Sequence, residues 1–115
     1  METEKLIKKE KVDILTGYIW SHVLAASAPA ALKAGKIIIS ANAGYSAYAG
    51  KKCHKNFFNI SWENSQTPMA LGELLNKKGV KSLYIMSPNY AAGKDIANGV
   101  QRTFKGKING KDLTP

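Results

Sequence analysis

Cysteine, arginine and histidine are scarce in this chain: one, one and two among 115 residues. The lone Cys53 cannot close an intramolecular disulfide, and with only His22 and His54 to join it there is no ligand set at zinc-like spacing. A metal centre is therefore not expected, and Cys53 reads either as a loop thiol or as half of a disulfide whose partner lies outside the chain. Long apolar runs are missing too. The longest, Ala25 to Leu32, is broken by Ser27 and Pro29, well short of the roughly 20 apolar residues that a membrane-spanning helix needs. The start, Met1-Glu2-Thr3-Glu4-Lys5, lacks the basic flank and apolar stretch of a secretory leader. An export signal is then either absent or upstream of this sequence.

Motifs for nucleotide and acyl chemistry are absent as well: there is no G-x-x-x-x-G-K-[ST], no G-x-G-x-x-G and no G-x-S-x-G. His22 and His54 have no evident carboxylate or nucleophile partner, and Asp13, Glu63 and Asp95 fall on different predicted elements. Catalysis is not expected, nor is a cofactor. No Pro/Gly/Ser-rich linker, repeat or charge block marks a boundary by composition. Acidic residues are few, eight against seventeen Lys and Arg, for a net charge of +9. Such an excess can attract nucleic acid or anionic solutes. The lysines, however, are scattered from Lys5 to Lys111 and only Arg102 is Arg. That pattern reads as a solvated surface, so a nucleic-acid partner is not expected.

What the chain does contain is alternation. Thr3 to Lys11 reads as a short helix, Val12 to Thr16 as a strand ending at Gly17, and Ser21 as an N-cap for a helix over His22 to Ala34 closed by Gly35. Lys36 to Ser40 carries three consecutive Ile, the β-branched run of a strand buried on both faces. Phe57 to Trp62 is a further strand. Asn64 or Ser65 then starts a helix that runs to Gly79, Ser82 to Met86 is a strand, Ala91 to Phe104 a helix, and Gly106 to Gly110 the start of a fifth strand. Strands alternating with helices are βαβ units, so the fold class is α/β with parallel strands.

In such sheets ligands sit beyond the carboxyl ends of the strands. Three loops qualify. Tyr18-Ile19-Trp20-Ser21 leaves a strand and enters a helix, so the Ser21 hydroxyl and the first-turn N–H groups can face a small carboxylate; the plainer reading is that Ser21 caps its helix and Trp20 is core. Ala41-Asn42-Ala43-Gly44-Tyr45-Ser46 is made of small residues that let backbone N–H groups approach a ligand, or it is merely a turn. Pro88-Asn89-Tyr90 offers an aromatic ring at a third strand end, where Tyr90 either covers a ligand or staples its helix. Asn59-Ile60-Ser61 matches a glycosylation acceptor, but it falls in a predicted strand.

Val12-Asp-Ile-Leu-Thr-Gly-Tyr-Ile-Trp-Ser21 followed by Lys36-Ile-Ile-Ile-Ser-Ala-Asn-Ala-Gly44 resembles the first lobe of the type I periplasmic solute-binding proteins of ABC importers, the class of the Leu/Ile/Val-binding proteins. Cys53 to Trp62 is similar to the next strand of that lobe, and Lys81 to Tyr90 with Gly93-Lys-Asp95 to a strand and helix start of the second lobe. The resemblance runs in order along nearly the whole chain. It implies part of a first lobe over residues 1–62, a hinge crossing near Trp62 to Gln66, and part of a second lobe over residues 63–115, with both lobes incomplete.

The resemblance also implies a binding role without bond making. The ligand would be a small carboxylate-bearing solute, a branched-chain or aromatic amino acid or an aromatic acid, and the partner of the whole protein a membrane permease. It implies a periplasmic location. Ser21, Asn42, Ala43 and Gly44 stand at the positions that hold the ligand carboxylate; Trp20 and Tyr45 would shape the pocket and Tyr90 close over it. Gly44 stands where many relatives carry a hydroxyl residue, leaving only its backbone to serve. With strands missing from both sheets, weak or absent solute binding and pairing of copies through open sheet edges are expected. The alternatives are a self-contained flavodoxin-like regulatory domain, which would want an acidic cluster or phosphate loop at the first strand end, and a basic nucleic-acid module.

Overall fold

The computed structural model describes residues 2–115. Contacts divide the chain into two compact units, Met1–Glu63 and Asn64–Pro115. In the first, helix α1 (Glu2–Lys8) precedes strand β1 (Ile14–Leu15), helix α2 (Ser21–Lys33), strand β2 (Ile37–Ser40), a short 3₁₀ helix (Ser46–Ala49) and strand β3 (Phe57–Asn59). The strands lie in the order β1-β2-β3, all parallel, with Leu15 beside Ile38 and Ile38 beside Phe57.

That register explains the core. Side chains alternate across a strand, so Leu15, Ile38 and Phe57 share one face. Helix α2 lays Leu24, Ala28 and Ala31 on that face at helical spacing, all fully buried. Burying a leucine such as Leu24 contributes about 2 kcal/mol from apolar area alone. Helix α2 runs through Pro29 without interruption, as a helix over His22 to Ala34 implies. The opposite sheet face differs from expectation. Ile14, Ile37 and Phe58 are exposed, so the Ile run is buried on one face only among the described residues.

In the second unit, helix α3 (Gln66–Lys77), strand β4 (Ser82–Pro88), helix α4 (Ala91–Thr103) and strand β5 (Lys107–Thr114) form a βαβ unit with a preceding helix. Strands β4 and β5 are parallel, with a register shift between Leu83 and Tyr84 that leaves Asn109 without an opposite partner. Ile85, Ala97, Val100 and Phe104 form the core. Helices α3 and α4 approach closely because Gly72 and Gly99 carry no Cβ: one at Gly99 would stand 2.6 Å from the Ser65 carbonyl oxygen and 2.8 Å from Pro68 Cβ. Thr103 Oγ1 donates to the Met69 carbonyl at 2.7 Å, and Asn76 Nδ2 to the Thr103 carbonyl at 2.8 Å, closing the helix pair at its end.

The α/β class with parallel strands is what the sequence implied, in a three-stranded and a two-stranded sheet. The details differ at the ends. Helix α1 stops at Lys8, three residues early, and Lys11 takes a left-handed φ of 53°. Strand β3 covers three residues rather than six, because Asn59 turns back locally: its Oδ1 accepts from Ser61 N at 3.2 Å and its Nδ2 donates to the Trp62 carbonyl at 3.1 Å. Gly35 and Gly79 end their helices with φ of 74° and 73°, a conformation that suits glycine.

Candidate functional site

Two of the three loops named from the sequence lie at the carboxyl ends of adjacent strands in the first unit. After β1 the chain passes through Tyr18 to Trp20 and enters α2; after β2 it passes through Ala41 to Tyr45 and enters the 3₁₀ helix. Hydrogen bonds stitch the two together. Ala43 N donates to the Tyr18 carbonyl at 3.1 Å, and Asn42 Nδ2 donates to the Ile19 carbonyl at 3.0 Å. Ser40 Oγ donates to the Ala43 carbonyl at 2.8 Å, so both backbone polar groups of a residue only 1% exposed are satisfied.

The sequence-named residues take distinct places. Trp20 occupies the N-cap position of α2 with extended backbone, and its ring is 56% exposed, 6.3 Å from the His22 ring. Ser21 is the first helical residue instead of the cap and is only 3% exposed. The reason for the correction lies in the backbone: Leu24 N donates to the Trp20 carbonyl at 3.0 Å, which starts the helix one residue earlier than a Ser21 cap would. Trp20 is also not core. Gly44 is buried beside Ala43, and Asn42 is exposed.

Tyr45 precedes the 3₁₀ helix, half-buried, its ring edge-on to Tyr48 at 6.0 Å. Tyr48 in turn stacks on Phe57 at 4.5 Å. Burial, then the neighbouring Tyr45 and Tyr18 phenols, push the Tyr48 hydroxyl above its ordinary pKa. The sequence carries no local signal that Tyr48 turns inward onto Phe57. Tyr90 belongs to the second unit. It holds the N-cap position of α4 in extended conformation, half-buried, its carbonyl accepting from Lys94 N at 3.0 Å.

A hollow of about 490 Å³ also opens in the first unit, lined by Leu6, Val12, Ile14, Tyr18, Trp20 and Val23 among others. It meets the candidate loops only through Tyr18 to Trp20; Ser21 and Asn42 to Tyr45 do not line it. The stitched loops are the better candidate, because they bring backbone N–H groups, an amide and a helix start to one sheet end. Among the described residues no group of three or more His, Cys, Asp or Glu could hold a metal ion, and no helix is long and apolar enough to cross a membrane.

The family profile described as periplasmic binding protein matches residues 2–115. Among solved structures, the chain is similar to an ABC transporter solute-binding protein from R. palustris in complex with benzoate, at 32% identity and TM-score 0.90, over 98% of this chain and 32% of that one. A second R. palustris solute-binding protein, in complex with 4-hydroxybenzoate, matches at 23% identity and TM-score 0.85 over 98% and 31%. The branched-chain amino acid transporter substrate binding protein of Streptococcus pneumoniae, in complex with isoleucine, matches at 24% identity and TM-score 0.77 over 98% and 32%. The chain thus spans about a third of the length of these structures. No curated protein matches it.

Proposed function

The chain belongs to the periplasmic binding protein family, and from that premise we propose that it is part of the solute-capturing component of an ABC importer and takes an aromatic carboxylate such as benzoate. The observation that carries this reading is the stitched pair of loops. Two adjacent parallel strands end in a helix start and a small-residue turn, joined through Ala43 N to the Tyr18 carbonyl and Asn42 Nδ2 to the Ile19 carbonyl. Backbone N–H groups near Ser21 and Gly44 suit a carboxylate, and Trp20 and Tyr45 supply flat apolar walls for a ring. The two units correspond to parts of two lobes joined near Glu63. Tyr90, in the second unit, is a further candidate solute contact, and in the whole protein the solute-loaded form engages a membrane permease. The location that goes with this role is the periplasm. None of it requires a bond to be made or broken.

The benzoate-bound relative, at 32% identity, supports an aromatic acid ahead of a branched-chain amino acid. The chain spans about a third of the length of the benzoate-bound relative, so weak binding is expected. The test is amide NMR of the 115-residue chain titrated with benzoate, 4-hydroxybenzoate and isoleucine. Shifts confined to the Tyr18–Ser21 and Asn42–Tyr45 segments, larger for the benzoates, are the expected result. No localised shift with any of the three sinks the proposal, and so does tight, steeply salt-dependent binding of an oligonucleotide in their place.

A further inference from the structure

Glu63 and Asn64 are neighbours in the chain that fall on opposite sides of the boundary between the two units. Each is fastened by its side chain inside its own unit. Glu63 Oε1 accepts a hydrogen bond from Ser46 Oγ, in a partly buried setting. Ser46 opens the 3₁₀ helix and directly follows Ala41 to Tyr45, the candidate loop. Asn64 Nδ2 donates to Asp95 Oδ2 at 3.1 Å. Asp95 lies near the start of α4, the helix whose N-cap position is Tyr90. The two residues that join the units therefore reach, one each, the segments that follow Tyr45 and Tyr90.

We infer that Glu63 and Asn64 are positioning residues that form a paired latch: Glu63 holds the exit of the Asn42–Tyr45 loop through Ser46, and Asn64 holds the start of α4 behind Tyr90 through Asp95. The chemistry suits this task. A hydroxyl bonded to a carboxylate, and an amide bonded to one, are charge-assisted pairs, stronger than neutral ones and firmer when water is partly excluded. Neither Glu63 nor Asn64 touches the solute in this scheme. Their effect is to hold each segment against the residues that join the units, so loosening either bond loosens the segment that follows a candidate solute contact. The link to solute rests on the function proposed above; the latch itself rests only on the two side-chain contacts.

The test is amide hydrogen exchange on the 115-residue chain and on the variants Glu63→Ala, Glu63→Gln, Ser46→Ala and Asn64→Ala. Glu63→Ala and Ser46→Ala are each expected to speed exchange at Ala43 and Tyr48 about tenfold. Leu24 and Ile38 should keep their protection. The double variant should speed exchange by less than the product of the two single effects, since both remove the Ser46–Glu63 bond. Glu63→Gln keeps an acceptor and should retain most of the protection, whereas Asn64→Ala should act on Lys94 and leave Ala43 alone. Wild-type protection at Ala43 and Tyr48 in Glu63→Ala, or an equal loss across α2 and β2, would overturn the latch. Benzoate serves as the solute probe: a weaker response in Glu63→Ala that Glu63→Gln restores supports the link to solute, and an unchanged response overturns it. If benzoate moves nothing even in the wild-type chain, the solute reading fails, and the exchange rates still decide whether the latch exists.

Discussion

Ser40 Oγ donates a 2.8 Å hydrogen bond to the carbonyl oxygen of Ala43, three residues ahead, and both residues are buried. This bond closes the turn that carries the chain off the end of β2, and it holds Ala43 in place to donate its own N–H to Tyr18.

Removing that hydroxyl should therefore cost more than an ordinary surface change. Ser40→Ala leaves the Ala43 carbonyl buried without its donor, and a loss of about 1–3 kcal/mol is expected. Urea unfolding of the variant beside the wild-type chain measures it; a midpoint unchanged from wild type would mean the loop finds another donor.

The core under α2 gives a second expectation. Leu24 is fully buried against the face formed by Leu15 and Ile38, so Leu24→Ala should destabilise by about 2–5 kcal/mol through lost burial and a residual cavity. Leu74, half exposed on α3, should tolerate the same change with a much smaller loss. Thermal unfolding of the two variants compares them directly.

Helix propensity and packing pull in opposite directions at Gly99. Alanine is the better helix former by about 1 kcal/mol, yet its Cβ would stand 2.6 Å from the Ser65 carbonyl oxygen. Packing should win, because the neighbour is backbone and cannot swing aside, and Gly99→Ala is expected to be net destabilising by about 1–3 kcal/mol. A rise in melting temperature would show that α3 moves away from α4 at little cost.

Tyr84 offers a pH test. Its hydroxyl donates to Asp112 Oδ2 at 2.8 Å, and this bond first, with desolvation and the carboxylate charge after it, holds the phenol above its ordinary pKa of 10.0. The protonated phenol is the form favoured by folding. Its contribution is thus fully present below the unfolded-state value and is lost as pH rises through the higher folded-state value. Phenolate absorbance during an alkaline titration should show Tyr84 ionising late, and Asp112→Asn should bring it back toward the ordinary range. A titration identical in wild type and variant would rule the bond out as the cause.

The exposed sheet face predicts association. Ile14, Ile37 and Phe58 lie uncovered on a parallel sheet, an architecture whose faces are ordinarily both covered, and β1 and β3 present open edges. The 115-residue chain is expected to form dimers or larger species by light scattering, and Phe58→Lys should shift it toward monomer. A wild-type monomer at high concentration would remove this expectation and leave the family membership untouched.

Local chemistry was enough to determine the order of the elements. Three Ile in a row, Gly35 and Gly79 after their helices, and the Ala41–Ser46 run all act within a few residues, and each element appears within a few residues of its expected place. Tertiary structure decided the rest. Ser21 is a buried first helical residue because the Trp20 carbonyl captures Leu24 N, and β3 stops at Asn59 because that side chain bonds its own following backbone. The stitching of Ala43 to Tyr18, the inward turn of Tyr48 onto Phe57, and the contact between Ser46 and Glu63 join residues 9 to 25 positions apart. No pattern of neighbouring residues encodes such pairs, because they form only once parallel strands set side by side bring their ends together.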